Sequence, residues 1–203
     1  MSTDAPRLRV EGDGWVSGAR RVPSPNFDAR PPGMPVDLLV IHNISLPPGQ
    51  FGSDDIEALF LNRLDPDRHP FFATIHQARV SAHFLVRRDG GLVQFVSCHD
   101  RAWHAGQSRL GDRERCNDFS IGIELEGCDT LPFEPAQYAV ATALARAVCD
   151  AYPISAVVGH SDIAPGRKTD PGPCFDWDRF ASGAGLPAAM LPFRTGDGPR
   201  ASA

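Results

Sequence analysis

The stretch VDLLVIHN, residues 36–43, is apolar along most of its length and ends in a histidine and an asparagine. Apolar side chains on both faces of a strand are typical of the centre of a sheet that is covered on both sides. Four further apolar runs bounded by turn residues predict strands. These runs are SAHFLVRR (81–88), GLVQFVS (91–97), FSIGIELEG (119–127) and SAVVGH (155–160). Asp89-Gly90-Gly91, between the first two of them, indicates a hairpin.

Two segments have the features of helices. SDDIEALFLNRL (53–64) begins with Ser53 as a candidate N-cap, followed by acidic residues that the helix dipole favours. EPAQYAVATALARAVCDAY (134–152) has Pro135 near its first position and an apolar face suited to a sheet, made of Val140, Leu144 and Val148. We therefore expect an α/β fold of the mixed α+β kind, a single domain in which helices flank a central mixed β-sheet. Long irregular loops are expected at 65–79 and 99–118.

The bulk composition limits the classes of function. We expect a flexible N-terminus (1–10), one domain (11–185) and a flexible tail rich in Ala, Gly and Pro (186–203). A net charge of -5 gives no support for nucleic-acid binding. The sequence has neither an apolar leader nor a run long enough to span a bilayer, so no membrane association is expected. Five scattered cysteines without a CxxC pair suit reduced thiols, and we expect a monomer in the cytoplasm.

Several polar side chains suit a catalytic zinc site. His160 ends an apolar run, Asp170 lies on a proline-rich loop (VVGHSDIAPGRKTDPGPCFDW, 157–177), and His42 ends another strand. Two imidazoles and a carboxylate would leave one zinc position open for water. However, a histidine at a strand end is more often a structural residue than a ligand, so the pattern alone leaves both interpretations open.

A base and a cation are also present near these candidates. The period of two in FSIGIELEG places Glu124 and Glu126 on the face opposite Ile121 and Ile123. A carboxylate on such an apolar strand needs either a partner or a catalytic role. Lys168 is two residues before Asp170 and could stabilise negative charge in a tetrahedral intermediate, or it could be an ordinary surface lysine.

Five segments resemble, in order and spacing, the zinc-dependent N-acetylmuramoyl-L-alanine amidases. They are VIHNISLPPGQFG (40–52), VSAHFLVRRDG (80–90), RAWHAGQS (101–108), RERCNDFSIGIELEGCDT (113–130) and GHSDIAPGRKTDPGPCFDW (159–177). The likeness is greatest to the members that act on 1,6-anhydro-muropeptides in peptidoglycan recycling, and it extends from about residue 14 to residue 180. It implies that His42, His160 and Asp170 bind Zn²⁺. It also implies that Glu124 is the catalytic base, ahead of Glu126, and that Lys168 acts in the transition state.

The resemblance also nominates residues that bind a small muropeptide substrate. Asn43 could bind a peptide group or cap the loop backbone. Trp103 and His104 match a groove segment, although Trp is also common in protein cores. Arg79 and Arg115 are suited to stem-peptide carboxylates, and surface ion pairs are the alternative. His83 is expected to be a buried structural histidine.

The sequence therefore predicts zinc-dependent hydrolysis of the amide between anhydro-N-acetylmuramic acid and L-alanine. Two alternatives remain: a muropeptide-binding or sensing protein without activity, and a zinc peptidase that cuts within the stem peptide. A serine hydrolase is disfavoured because no GxSxG motif is present.

Overall fold

A mixed six-stranded sheet organises the protein, whose computed structural model describes residues 8–194. The strands are β1 (Arg20–Arg21), β2 (Phe27–Asp28), β3 (Leu38–Ile44), β4 (Phe84–Val86), β5 (Leu92–Gln94), β6 (Arg101–Ala102), β7 (Arg109–Leu110), β8 (Arg113–Glu114), β9 (Ser120–Glu126) and β10 (Ala156–Gly159). The main sheet has the order β1-β5-β4-β9-β3-β10, in which the last four strands are parallel to one another. Strands β4 and β5 form the predicted antiparallel hairpin, and β2–β6 and β7–β8 form two small separate sheets.

Five helices accompany the strands: α1 (Asp55–Phe60), α2 (Pro70–Ile75), α3 (Pro135–Ala151), α4 (His160–Ile163) and α5 (Trp177–Ala184). Short 3-10 turns lie at Pro66–Arg68, Cys116–Asp118 and Ala188–Met190. The mixed sheet flanked by helices confirms the predicted fold class. In the described part of the chain, no helix is long and apolar enough to cross a bilayer.

Strand β3 lies between β9 and β10 and is covered on both faces, as its sequence predicts. Leu39 and Ile41 belong to a hydrophobic cluster that also contains Leu144 and Val148 of α3. Leu38 and Val40 face the other way, into a cluster with Phe119 and Val158. Burying each such side chain stabilises the fold by roughly 1.5–3 kcal/mol, so β3 is anchored from both sides.

Helix α3 is joined to the sheet by a buried amide. Pro135 is its first residue, and the backbone N–H of Glu134 donates to Oε1 of Gln137 over 3.0 Å. The Nε2 group of Gln137 donates to the carbonyl oxygens of Val86 (3.2 Å) and Glu126 (3.0 Å). One completely buried side chain therefore connects α3 to both β4 and β9.

Some local predictions differ from the structure. The N-cap of helix α1 is Asp54 rather than the predicted Ser53, and the Ser53 hydroxyl accepts a hydrogen bond from the Asp55 N–H over 3.3 Å. The loop expected at 65–79 contains α2, because Pro70 occupies the first helical position and His69 caps the helix through its ring nitrogen. Helix α5 was not predicted from the sequence.

The chain ends also differ from the predicted extent of the flexible segments. Leu8 and Val10 pack against the core, and Val10 forms a bridge with Val16. Within 186–194, Leu191 is 7% exposed, and the Arg194 guanidinium lies 4.3 Å from the ring centre of Trp177. Both neighbouring segments therefore belong to the folded domain. The rest of the predicted flexible ends, 1–7 and 195–203, lies outside the described residues.

Replacing Gln137 with leucine should destabilise the protein, because it removes the buried amide that donates to the carbonyls of Val86 and Glu126. We expect the free energy of unfolding of the metal-free protein to fall by about 2–4 kcal/mol. Urea unfolding followed by circular dichroism measures the change. Arg146→Ala, at an exposed position of the same helix, is the control and should stay within about 0.5 kcal/mol of the unmodified protein. Equal stabilities for the two variants would contradict this role of Gln137.

Candidate metal centre

Strand register brings the predicted metal ligands to one edge of the sheet. Parallel strands β3 and β10 pair Ile41 with Gly159, so His42 and His160 follow side by side. On the other side of β3, His42 is directly opposite Glu124 of β9. The carboxyl ends of parallel strands are where open α/β sheets commonly bind ligands. The sheet thus delivers two imidazoles and a carboxylate to one place.

The three predicted ligand side chains meet in a compact group. The Nδ1 atoms of His42 and His160 are 3.0 Å apart. Oδ2 of Asp170 lies 3.0 Å from Nδ1 of His42 and 3.1 Å from Nδ1 of His160. One donor atom from each residue lies within 4.8 Å of the others, and both histidines are buried. This geometry suits one shared metal ion.

The hydrogen-bond partners of the Nε2 atoms of His42 and His160 indicate which of their Nδ1 atoms carry lone pairs. Nε2 of His160 lies 3.1 Å from the carbonyl oxygen of Ala105, which can only accept a hydrogen bond. Nε2 of a neutral His160 therefore carries the proton, and its Nδ1 presents a lone pair. Nε2 of His42 likewise has a partner, Nδ1 of His104, at 2.9 Å. A lone pair and a carboxylate oxygen at 3.1 Å repel each other unless a cation lies between them, so the donor set fits a metal.

Burial keeps His42 in the form that binds metals. It lowers the pKa of His42 to about 4, although the neighbouring Asp170 acts in the opposite direction. The imidazole is therefore neutral near pH 7, and a neutral ring is what a metal requires.

Glu124 has the features of a reactive carboxyl group. It is 8% exposed, and its Oε2 atom is buried with no hydrogen-bond partner among the described residues. Burial and then the charge of Asp170 raise the pKa of Glu124 well above its ordinary value, while Lys168 acts to lower it. A buried carboxyl group without a partner is costly, and such perturbed groups concentrate at functional sites.

Glu126, on the same strand, has structural partners instead. Its Oε1 accepts from the N–H of Gly52 at 2.6 Å, and its Oε2 accepts from the N–H of Arg88 at 3.1 Å. These bonds hold two loops to the end of β9. The structure therefore distinguishes the two glutamates that the sequence placed on one face.

A cleft opens beside the metal ligands. Its lining includes Asn43, Gly49, Asp129, Thr130, Lys168 and Asp170. Lys168 is exposed at this cleft, with its backbone N–H bonded to the carbonyl of Ala164 at 3.0 Å. The Nδ2 group of Asn43 donates to Oδ1 of Asp129 (2.7 Å) and to the carbonyl of Pro171 (3.0 Å). Asn43 therefore joins β3 to the loop that carries Asp170, and its role in substrate binding stays a prediction.

The ring of His104 lies next to His42. It was nominated for direct contact with substrate, but its ring is 9% exposed and lies behind His42. Its second nitrogen, Nε2, is 3.1 Å from the hydroxyl of Ser120. The ring rests on Gly122, where an added Cβ would lie 2.6 Å from it. Both ring nitrogens thus have partners inside the protein, and a role of His104 in substrate binding stays a prediction.

The other nominated substrate residues lie outside the lining of this cleft. Arg79 is exposed and donates to the carbonyl of Gln77 at 3.3 Å. The indole N–H of half-buried Trp103 donates to Asp28 at 3.1 Å. Arg115 pairs with Asp118 at 3.3 Å and lines a second cleft. Their roles in substrate binding stay predictions.

Arg30 is a structural residue that the sequence did not reveal. Its guanidinium donates to the carbonyls of Asn117 (3.1 Å), Asp118 (3.2 Å) and Ser120 (2.9 Å), which hold the segment before β9. It also approaches Nε2 of His83, which is completely buried as predicted. No local motif marks Arg30, because its partners are about 90 residues away along the chain.

The comparison with protein families decides the identity of the fold and site. Residues 32–173 match the family model described as N-acetylmuramoyl-L-alanine amidase. The chain belongs to this family. The predicted resemblance is thereby confirmed, and His42, His160, Asp170 and Glu124 all lie within the matched region.

Individual relatives agree with the family assignment. The chain is 62% identical over 169 residues to 1,6-anhydro-N-acetylmuramyl-L-alanine amidase AmpD of Escherichia coli K12, covering 82% of this chain and 92% of AmpD. A crystal structure of an AmpD selenomethionine derivative aligns with a TM-score of 0.83 and 57% identity, over 84% of this chain and 97% of the other. The E. coli amidase AmiD, solved with anhydro-N-acetylmuramic acid-L-Ala-D-γ-Glu-L-Lys, aligns with a TM-score of 0.54 and 33% identity, over 87% of this chain and 65% of AmiD.

His83 should make the stability of this amidase depend on pH in the acid range. Burial and the charge of Arg30 lower the pKa of His83 to about 3. Its Nδ1 accepts from the Gly122 N–H at 3.0 Å, so a second proton would displace that bond. Between about pH 6.5 and the folded pKa, the unfolded chain binds a proton that the folded chain does not. This contribution to stability is therefore complete above about pH 6.5 and is lost as the pH falls.

Urea unfolding of metal-free protein at about pH 7.5 and about pH 5 tests this expectation. The free energy of unfolding of the unmodified protein should fall between the higher and the lower pH. In His83→Asn this fall should be smaller by about 2 kcal/mol. The comparison uses a difference between pH values, so any general destabilisation by the substitution cancels. An unchanged difference would show that His83 protonates equally in the folded and unfolded states.

Proposed function

We propose that this amidase uses Zn²⁺ to hydrolyse the amide bond between 1,6-anhydro-N-acetylmuramic acid and L-alanine in muropeptides, in peptidoglycan recycling. The observation that carries the proposal is the convergence of His42, His160 and Asp170 beside Glu124. The AmpD relative named for this substrate aligns over 92% of its length, which supports the same choice of bond here.

The ligand set supports zinc as the metal. Two imidazoles and one carboxylate form a set that catalytic zinc sites use, with another position left for water or substrate. A zinc ion bound there would lower the pKa of a coordinated water molecule and polarise the amide carbonyl. The cleft beside Asp170 leads to this position and can admit a peptide.

Glu124 is the proposed base. The attacking water loses a proton to its carboxylate as the water oxygen bonds to the carbonyl carbon. The same proton then passes to the amide nitrogen when the carbon–nitrogen bond breaks, so that L-alanine leaves with a free amino group. Burial raises the pKa of Glu124, which makes its carboxylate a stronger base toward the proton of the attacking water.

Lys168 is the proposed stabiliser of the oxyanion. Its side chain is exposed at the cleft, on the same loop as Asp170. Its charge also lowers the pKa of both His42 and Glu124. Negative charge that develops on the carbonyl oxygen would be stabilised by this cation.

We further propose that the enzyme works as a monomer in the cytoplasm. The proposed ligands, base and cation all come from one chain, so the mechanism needs no second subunit. The described cysteines are all free thiols, which suits a reducing compartment.

Mass-spectrometric analysis of products tests the reaction. Purified protein is incubated with an anhydro-muropeptide, with and without prior chelation, and the chelated sample is then reloaded with Zn²⁺. We expect the anhydro-sugar product and an intact stem peptide, loss of activity on chelation and recovery with zinc. Cleavage within the peptide would indicate a peptidase. Tight binding without cleavage, in zinc-loaded protein, would indicate a binding or sensing protein.

Glutamine variants of the two glutamates on β9 separate the base from its structural neighbour. Glu124→Gln should lower kcat by about 10²–10⁴-fold, because the amide cannot take the proton from water. Glu126→Gln is the matched control: it should lose stability, since its oxygens hold Gly52 and Arg88, yet keep most of kcat. Both are measured by kinetics and thermal unfolding in zinc. Equal kcat values for Glu124→Gln and the unmodified enzyme would refute Glu124 as the base.

A further inference from the structure

Asn117 is connected to both histidine ligands through two adjacent residues. We propose that Asn117 positions His42 and His160 through the dipeptide His104-Ala105, and thereby sets how tightly the site holds its metal. This inference rests on the proposed metal site. It assigns Asn117 and His104 as positioning residues, because neither contributes a donor atom to the ligand group.

The first connection runs through the side chain of His104. Its Nδ1 lies 2.9 Å from Nε2 of His42, and its Nε2 lies 3.1 Å from the hydroxyl of Ser120. The rings of His42 and His104 are nearly perpendicular, with centres 5.0 Å apart. An acceptor at this position makes His42 carry its proton on Nε2, which leaves Nδ1 free to bind the metal.

The second connection runs through the backbone of the next residue. The carbonyl oxygen of Ala105 lies 3.1 Å from Nε2 of His160. The same oxygen accepts a hydrogen bond from Arg167 at 2.8 Å, which fixes it from the solvent side. Ala105 thus provides a partner for Nε2 of His160, as His104 does for Nε2 of His42. Both imidazoles therefore present Nδ1 to the same point.

Asn117 fixes both residues with one oxygen atom. Its Oδ1 accepts from the backbone N–H of His104 at 3.2 Å and from that of Ala105 at 2.8 Å. Asn117 is 8% exposed and lies in the 3-10 turn Cys116–Asp118, directly before β9. Residues 104 and 105 belong to an irregular segment, so this oxygen takes the place of a regular backbone partner.

The arrangement also restricts the position of the His104 ring. The ring lies against Gly122, and Nε2 is held by Ser120 two residues earlier on β9. Backbone and side chain of His104 are therefore both tied to the segment 117–122. Because outer hydrogen bonds fix the tautomer and direction of a ligand imidazole, loosening them should weaken metal binding.

Paired variants separate positioning from general packing. Asn117→Leu and His104→Leu remove the hydrogen-bonding groups, whereas Asn117→Asp keeps Oδ1 and His104→Asn keeps an acceptor near the place of Nδ1. Gln137→Leu is the matched control, since it removes a buried amide with two backbone partners on the opposite side of the sheet. Zinc affinity is measured by competition with a chromophoric chelator. The visible spectrum of Co²⁺-loaded protein reports ligand geometry, and circular dichroism reports folding.

We expect both leucine variants to bind zinc about 10- to 100-fold more weakly, while Asn117→Asp, His104→Asn and Gln137→Leu stay within about threefold of the unmodified protein. The Co²⁺ spectrum should change only in the two site leucine variants. If Asn117→Leu does not fold, the His104 pair decides the question. Folded leucine variants with unchanged affinity and spectrum would overturn the inference. Absence of zinc binding by the unmodified protein would instead overturn the proposed metal site, and this inference with it.

Discussion

The site depends on the register of three parallel strands, β10, β3 and β9. His42 faces Glu124 on one side and adjoins His160 on the other only because Ile41 pairs with both Gly159 and Ile123. A shift of β3 by one residue would turn His42 to the opposite face of the sheet. The same shift would move Leu39 and Ile41 from the cluster beneath α3 to the opposite face of the sheet. Burial of the apolar residues therefore fixes the polar geometry.

Fixed hydrogen-bond partners explain how the histidines, Glu124 and Arg30 can lie inside the protein. Neutral imidazoles, an unpartnered carboxyl oxygen and a buried guanidinium each oppose folding unless neighbouring groups compensate. The histidines are compensated by fixed partners such as Ala105 and Gly122, and Arg30 by several carbonyl oxygens. Glu124 keeps one buried oxygen without a hydrogen-bond partner, at the group with the proposed chemical role. Local departures from satisfied hydrogen bonding are expected at functional sites.

The sequence alone predicts those parts of the protein that depend on local patterns. Alternating or continuous apolar runs predicted the strands that carry His42, Glu124 and His160, and helix α3 has a clear apolar face. The resemblance to a known family then selected these residues from among the chemically plausible ones. Helix α2 was missed because a proline can begin a helix as well as interrupt one, and the choice at Pro70 depends on packing around Phe72.

Other features could not be predicted because they depend on contacts distant in sequence. The ring of His104 lies behind His42 because Gly122 leaves room for it, and nothing near residue 104 encodes that space. The carbonyl oxygens that Arg30 holds likewise belong to a segment far along the chain. Segment 186–194 has a composition typical of a tail, yet Leu191 and Arg194 find partners on the domain surface. In each case the deciding partner is brought close only by the completed fold.

The loop that follows His160 shows how these constraints combine. The Ser161 N–H donates to the carbonyl of Asp170 at 2.9 Å, so the two ends of the loop are joined beside the ligands. A Cβ at Gly159 would lie 2.8 Å from Cδ of Pro171, and the glycine therefore permits the loop to return so closely. Asp170 is consequently directed inwards, toward the histidines, while Lys168 stays at the open cleft. One short loop, closed beside the histidines, thus carries both the proposed ligand and the proposed cation.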